Sequence, residues 1–259
     1  MKKTTRVKNI AGLLGKPTAE FEKFHSKTKI KKLARNLPRP SWPKEWGTIY
    51  YKGYARFEEI RLPKPTFSKR VTFAQALRDR KSTREFSKEP IGLGELNSFL
   101  YYSAGLNKNS DFAQRRFYPS GGARFPLEVY ILSLNMDLPK GVYHYYVKTN
   151  SLEKLTDFKK KNLKLLTSVP FAKNAGCLII ITAIFKRNTI KYGDRGYRHV
   201  LVEAGHLAQN FYLLASALGL GICGVGGYMD DNVNRLLDVD GLDETVVYML
   251  GVGNKAGGH

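Results

Sequence analysis

From Thr72 onward, apolar residues recur with the periods of regular structure. Thr72-Phe73-Ala74-Gln75-Ala76-Leu77 reads as a short amphipathic helix opened by a threonine cap. The stretch from Leu93 to Gly105 predicts a second helix, with Leu96, Phe99, Leu100 and Ala104 on one face. Leu127 to Leu132 and Gly141 to Val147 read as strands, and Asn162 to Val169 as a short helix. Gly176 to Phe185 is a continuous run rich in β-branched residues, which predicts a central strand buried on both faces. Tyr197 to Leu218 predicts a long helix ended by Gly219. It carries Val200, Leu201, Ala204, Leu207, Ala208, Phe211, Tyr212, Leu214 and Ala215, an apolar surface wider than one stripe, so it is expected to be buried. Gly221 to Val225 reads as a strand, Asp230 to Leu237 as a helix and Thr245 to Val252 as a final strand. Helices and strands mix without regular βαβ repetition, which predicts an α+β fold and not a doubly wound sheet.

Residues 1–70 lack this periodicity. Pro38, Pro40, Pro43, Pro63 and Pro65 interrupt them, and such segments cannot form long helices or central strands. One short helix is expected from about Thr18 to Ala34, and the remainder reads as an extended arm laid over a body or a partner subunit. At 259 residues the chain suits one large domain with an appendage. The expected division is a basic, Pro-rich N-terminal arm over 1–70 and a main domain over 71–259.

Charge sharpens that division. The net charge is +21, and residues 1–70 hold 19 Lys/Arg against 5 Asp/Glu, while residues 71–259 hold 24 against 17. Such a balance suits nucleic acid, a membrane surface or an acidic peptide, or simply a solvated basic face. The run from Lys27 to Lys32 has no aromatic interleaving, and neither zinc-finger spacing nor an RNA-binding signature occurs, so nucleic acid is not the expected partner. No run approaches ~18 apolar residues, the length of a membrane-spanning helix. Ala11 to Gly15 is too short for a signal-peptide core and Lys16 follows at once, so a cytoplasmic protein is expected. Cys177 and Cys223 make no disulfide framework and lack metal-ligand spacing; both sit in apolar contexts and read as reduced core residues. His144 lies in an aromatic strand and His206 within the long helix, where it reads as a core residue. No metal site is expected.

Three segments carry candidate chemistry. In Arg80-Lys81-Ser82-Thr83-Arg84, an extended or turning backbone presents guanidiniums and a hydroxyl to one side, which suits a phosphate monoester; a basic surface loop would look similar. Pro119-Ser120-Gly121-Gly122-Ala123 is a glycine turn before a strand, able to bring backbone amides close to a flat ligand or simply to turn the chain. Lys191-Tyr192 precedes the glycine-punctuated basic turn Gly193 to Arg198 and the long helix, a poor choice for packing and a good one for acid/base work. Gly226-Gly227 and Lys255 add a second glycine turn and a late cation. There is no dinucleotide fingerprint and no Walker loop.

Taken in order, Arg-x-Ser-x-Arg, Pro-Ser-Gly-Gly-Ala, Lys-Tyr-Gly-x-Arg-x-Tyr-Arg and Glu-Ala-Gly-His-x-x-Gln-Asn resemble the SagB-type dehydrogenases. These are the flavin component of thiazole/oxazole-forming peptide-modifying systems, within the nitroreductase superfamily. The resemblance covers roughly Thr72 to Lys255. It implies a mostly antiparallel central sheet flanked by helices, an intertwined homodimer with active sites between subunits, and FMN. Position by position, it implies that Arg80, Lys81, Ser82 and Arg84 hold the FMN phosphate and ribityl chain. Pro119, Ser120, Gly121 and Gly122 would line the flavin, often from the second subunit. Gly226 and Gly227 would lie under the isoalloxazine edge, and Lys255 would add a phosphate cation. Lys191 and Tyr192 match the pair associated with azoline dehydrogenation. A positioned lysine can take the proton released in that oxidation, and a tyrosine can orient or relay it. The chain shows no separate domain for grasping a leader peptide, so azole formation is expected to need partner proteins. The alternatives are an NAD(P)H-dependent nitro- or quinone-reductase acting on small molecules, and a basic nucleic-acid-binding protein on a flavoprotein scaffold.

Overall fold

A computed structural model describes residues 19–30, 51–66, 71–109 and 114–257. By its contacts the chain forms two units, Met1–Trp42 and Pro43–His259. In the first, α1 (Ala19–Lys27) places Glu20 and Glu22 in its first turn and His25 and Lys27 in its last, as the helix dipole favours. The remainder of the helix expected up to Ala34, and the arm over 31–50, lie outside the described residues.

The second unit is built on one seven-stranded sheet, counted among the described residues. Its strands are β1 (Glu59–Arg61), β2 (Leu127–Ser133), β3 (Gly141–Tyr146), β4 (Ser151–Asp157), β5 (Cys177–Ile184), β6 (Leu220–Gly224) and β7 (Glu244–Asn254). The order is β1-β4-β3-β2-β5-β7-β6, and every pairing is antiparallel. The helices are α2 (Phe73–Asp79), α3 (Leu93–Ala104), α4 (Lys186–Tyr192), α5 (Arg195–Leu218) and α6 (Asp230–Leu237). This is the α+β architecture that the sequence pattern predicts.

The two faces of β5 explain its unbroken apolar run. Cys177, Ile179, Ile181 and Ala183 face a core that takes in Phe99 and Leu100 of α3 and Leu207 and Phe211 of α5. Leu178 and Ile180 face a second core containing Val233 and Leu237 of α6. A strand covered on both sides has no solvent face, so alternation disappears. Thr72 caps α2 through a reciprocal capping box with Gln75, an arrangement worth about 0.5–2 kcal/mol. Gly219 closes α5 in the left-handed conformation.

β1 pairs with β4 through Ile60 and Leu152, and by contact the second unit takes in residues from Pro43 onward. Two expectations are revised. Helix α5 is not buried all round: Leu201 is 40% and Val202 58% exposed. His206 lies on that exposed side and is not a core residue. Cys177 and Cys223 are free and buried. Among the described residues no helix is long and apolar enough to cross a membrane. Nor, among them, does any group of His, Cys, Asp and Glu have the placement of a metal site.

Candidate active site

Helices α4 and α5 meet tightly at Gly196, where a Cβ would come within 2.9 Å of Thr189 Cα. The turn from Pro119 to Phe125 lies across that junction. From α4, Asn188 Nδ2 donates to the Gly121 carbonyl at 3.2 Å. From α5, Glu203 Oε2 accepts from the Ser120 hydroxyl at 2.8 Å and from the Gly121 N–H at 3.3 Å. The same Ser120 oxygen accepts from the Phe125 N–H at 2.8 Å. At the far end, Arg187 Nη1 donates to the Phe125 carbonyl at 3.2 Å. The turn needs these holds, because Gly122, Ala123 and Phe125 all have positive φ, at 67°, 54° and 45°. For non-glycine residues that conformation costs of order 1–3 kcal/mol each.

This turn brings two of the sequence motifs into contact. A Cβ built on Gly122 would stand 2.6 Å from the Tyr192 hydroxyl and 2.9 Å from Lys191 Nζ. Lys191 and Tyr192 end α4, and Gly193, at φ 57°, turns the chain away behind them. Lys191 Nζ lies 5.3 Å from the centre of the Tyr192 ring, and His199 packs edge-on against that ring at 4.8 Å. Only a glycine leaves room for both side-chain tips over residue 122. Gly122→Ala is therefore expected to displace Lys191 and Tyr192 and to cost about 1–2 kcal/mol from the left-handed backbone. Urea denaturation measures that cost.

Glu203 is 2% exposed, and its Oε1 is buried without a hydrogen-bond partner. Burial raises its carboxyl to about 7, against the opposing pull of the Ser120 and Gly121 hydrogen bonds and the Arg116 guanidinium. Arg116 is itself 4% exposed, with Nε and Nη2 unpartnered. Arg116, Ser120 and Phe125 help line a cleft of about 480 Å³.

The basic motif lies elsewhere on the main body. The segment from Arg80 to Phe86 crosses β6 and β7, with the Thr83 N–H donating to the Ile222 carbonyl at 2.8 Å. Glycines permit the crossing: a Cβ at Gly221 would meet Thr83 at 2.9 Å, and one at Gly253 would meet Phe86 at 2.9 Å. The crossing pairs Phe86 with Lys255 and places Lys81 and Lys255 in one cleft of about 740 Å³. Arg80 stacks over the Tyr212 ring at 5.9 Å, and the Tyr212 hydroxyl accepts from the Gly224 N–H at 2.8 Å. That bond ties Arg80 to the start of the turn carrying Gly226 and Gly227. No atom would crowd a Cβ at Gly226, and Thr167 fixes the Gly227 carbonyl at 2.6 Å. Lys81, Ser82 and Arg84 are exposed. Cations, a hydroxyl and an uncrowded glycine at 226 are the donor set that a phosphate monoester and a flat ring require.

Within one chain the motifs thus form two groups. Arg80–Arg84, Lys255 and Gly226–Gly227 gather around β6. Pro119–Gly122 and Lys191–Tyr192 gather at the first turns of α5. His199 and Glu203 precede Tyr212 by ~14–20 Å along that helix.

The nitroreductase family model matches residues 77–254, and the chain belongs to that family. The nitroreductase-family protein MJ1384 of Methanocaldococcus jannaschii is 33% identical over 200 residues, spanning 76% of this chain and 96% of that protein. The Microcin B17-processing protein McbC of Escherichia coli is 33% identical over 134 residues, and the match spans only 49% of each chain. Among solved structures, the E. coli microcin synthetase McbBCD complex with truncated pro-MccB17 bound aligns with a TM-score of 0.59 at 21% identity, covering 97% of this chain and 99% of that one. A nitroreductase from Desulfovibrio desulfuricans in complex with FMN aligns with a TM-score of 0.51 at 18% identity, covering 73% and 88%.

In the sequence Glu203 stood out only as part of the Glu-Ala-Gly-His motif, with no role of its own in the site. A charged residue flanked by apolar neighbours on both sides was the available signal.

Proposed function

We propose that this chain is an FMN-dependent oxidoreductase that oxidises azolines to azoles in a modified peptide. The observation that carries the reading is the convergence of Lys191 Nζ and the Tyr192 hydroxyl over Gly122, in a chain whose separate cluster of cations suits a phosphate. Bound FMN supplies the two-electron acceptor. Lys191 takes the proton released beside the carbon that loses hydride, and Tyr192 orients it. Arg80, Lys81, Ser82, Arg84 and Lys255 hold the phosphate, and the Gly226–Gly227 turn takes the ring edge, with open space at Gly226. The processing role in McbC's name supports a peptide substrate, and the McbBCD complex among the similar structures supports partner proteins.

A homodimer completes the site in this reading. The two groups of residues lie well apart along α5, and a second copy would bring the Pro119–Gly122 turn of one subunit to the cations of the other. Exposed Tyr197, Leu201 and Val202 on α5 and Phe73 and Leu77 on α2 offer apolar surface for that contact. Two reduced cysteines suit a cytoplasmic protein. The second reading, an NAD(P)H-dependent nitro- or quinone-reductase, is favoured by the near-complete span of the M. jannaschii relative.

The purified protein is expected to be yellow and to release FMN on denaturation. A colourless protein that also fails to bind added FMN overturns the proposal. Arg84→Ala removes charge-assisted hydrogen bonds worth about 1.5–3 kcal/mol each, so FMN affinity is expected to fall roughly ten- to a hundred-fold per bond. Fluorescence titration of the apoprotein measures it.

A further inference from the structure

We propose that Glu203 is a positioning residue: its carboxyl, from α5, fixes the strained 120–125 turn beneath Lys191 and Tyr192. The part concerning catalysis rests on the proposed function; the part concerning the turn rests on geometry alone. One carboxyl oxygen accepts from both the Ser120 hydroxyl and the Gly121 N–H. The other is buried and unpartnered, so packing gives Glu203 nothing in return for its burial. A buried polar group kept in that condition is costly and is retained where it holds something else in place. What it holds is a segment with three left-handed residues, Gly122, Ala123 and Phe125. That segment carries the one residue over which the lysine and tyrosine tips meet.

The groups facing Glu203 are few. Arg116 and Tyr118 approach from the segment before the turn. Asn188, Lys191 and Tyr192 reach the turn from α4, and His199 reaches it from α5 one helical turn before Glu203. Of these, Arg116 is the charge that favours the carboxylate. A carboxylate accepts more strongly than a carboxylic acid, so the hold on Ser120 and Gly121 strengthens as Glu203 ionises around neutral pH. The sign for global stability is the reverse. The folded-state carboxyl lies above its ordinary 4.5, at about 7. Folding therefore favours the neutral form, and stability present below pH 4.5 is lost between 4.5 and 7.

The test uses the intact protein with Glu203→Gln, Glu203→Ala and Ser120→Ala. Amide exchange over 120–125, corrected for the intrinsic pH dependence, is expected to rise at least tenfold in Glu203→Ala and Ser120→Ala and, below pH 7, to stay near wild type in Glu203→Gln. Wild type is expected to show protection that increases through pH 7, and Glu203→Gln to show none of that titration. The melting temperature of Glu203→Gln relative to wild type is expected to climb between pH 4.5 and 7 and then level. Wild-type exchange over 120–125 in Glu203→Ala, or a Glu203→Gln difference that is flat with pH, overturns the proposal. None of these readouts needs flavin or turnover, so they stand if the azoline reading fails. If that reading holds, the pH profile of azoline oxidation also loses its inflection near 7 in Glu203→Gln, while flavin content stays unchanged.

Discussion

Lys191→Ala is expected to lose ~10²–10⁴ in the rate of azoline oxidation, the contribution of a positioned acid/base, while keeping its flavin and its assembly state. That loss corresponds to about 2.7–5.5 kcal/mol of transition-state stabilisation. The geometry separates the two functions. Lys191 closes α4 against Gly122, whereas the cations suited to the phosphate gather around β6, with Lys81 and Lys255 in a common cleft. Removing the lysine leaves the second group untouched. Reduction of a quinone by pre-reduced protein needs no proton taken from carbon, so its rate is expected to fall much less. Measuring both half-reactions in wild type and variant, with flavin content, decides the role. If both rates fall together with flavin loss, Lys191 holds cofactor. If neither changes, the lysine is solvated surface and the azoline reading loses its support.

The elements that could be read from sequence were those with a helical apolar period or an unbroken apolar run. α3, α5 and α6 show the first, β2 and β5 the second, and the structure places them within a few residues of expectation. The elements that could not be read earn their place through tertiary contact. In β4, Ser151, Leu152 and Glu153 are buried while Thr156 and Asp157 are exposed, so no alternation survives. The short helix α4, Lys-Arg-Asn-Thr-Ile-Lys-Tyr, has no apolar face; it is fixed by close packing on α5 at Gly196 and by Arg187. The same holds for the site. Lys191, Tyr192 and the glycine turn stood out as residue types that are poor for packing. Their supports are conventional residues in unconventional places, namely Glu203 inside a helix and Glu128 in a strand otherwise apolar. Each stands between apolar neighbours in the sequence, but what it holds appears only once the elements are assembled. The width of the apolar surface on α5 was legible, but which side meets this chain's own core was not.

Breaking the cluster around Glu128 is expected to be the most destabilising single change in the sheet. His144 is fully buried, with Nδ1 donating to Glu153 at 2.7 Å and Nε2 donating to Glu128 at 3.2 Å; only the imidazolium has N–H groups for both. The other Glu128 oxygen takes Arg187 Nη1 at 2.5 Å. Burial alone would raise the Glu128 carboxyl, but the His144 hydrogen bond and the Arg187 charge outweigh it and hold it down at about 2. Burial likewise opposes the His144 cation, and the two glutamates overcome it and raise the ring above its usual 6.5. The signs follow. Glu128 stabilises fully above pH 4.5, and its contribution is lost as pH falls through about 2. His144 stabilises fully below 6.5, and its contribution is lost as pH rises through its elevated folded value. Glu128→Ala leaves Arg187 without its carboxylate and His144 with Glu153 as its one acidic partner, a lesion of about 3–5 kcal/mol. Arg187, in the first turn of α4, holds the Phe125 carbonyl, so the same variant is expected to weaken the support beneath Lys191. Urea unfolding of wild type and Glu128→Gln at pH 3 and pH 6 measures the linkage. The stability gap between them is expected to narrow sharply at pH 3, and taking the difference removes the opposite-signed contribution of Glu203. A gap that stays constant across that range would show that the Glu128 carboxylate carries no part of the fold's stability.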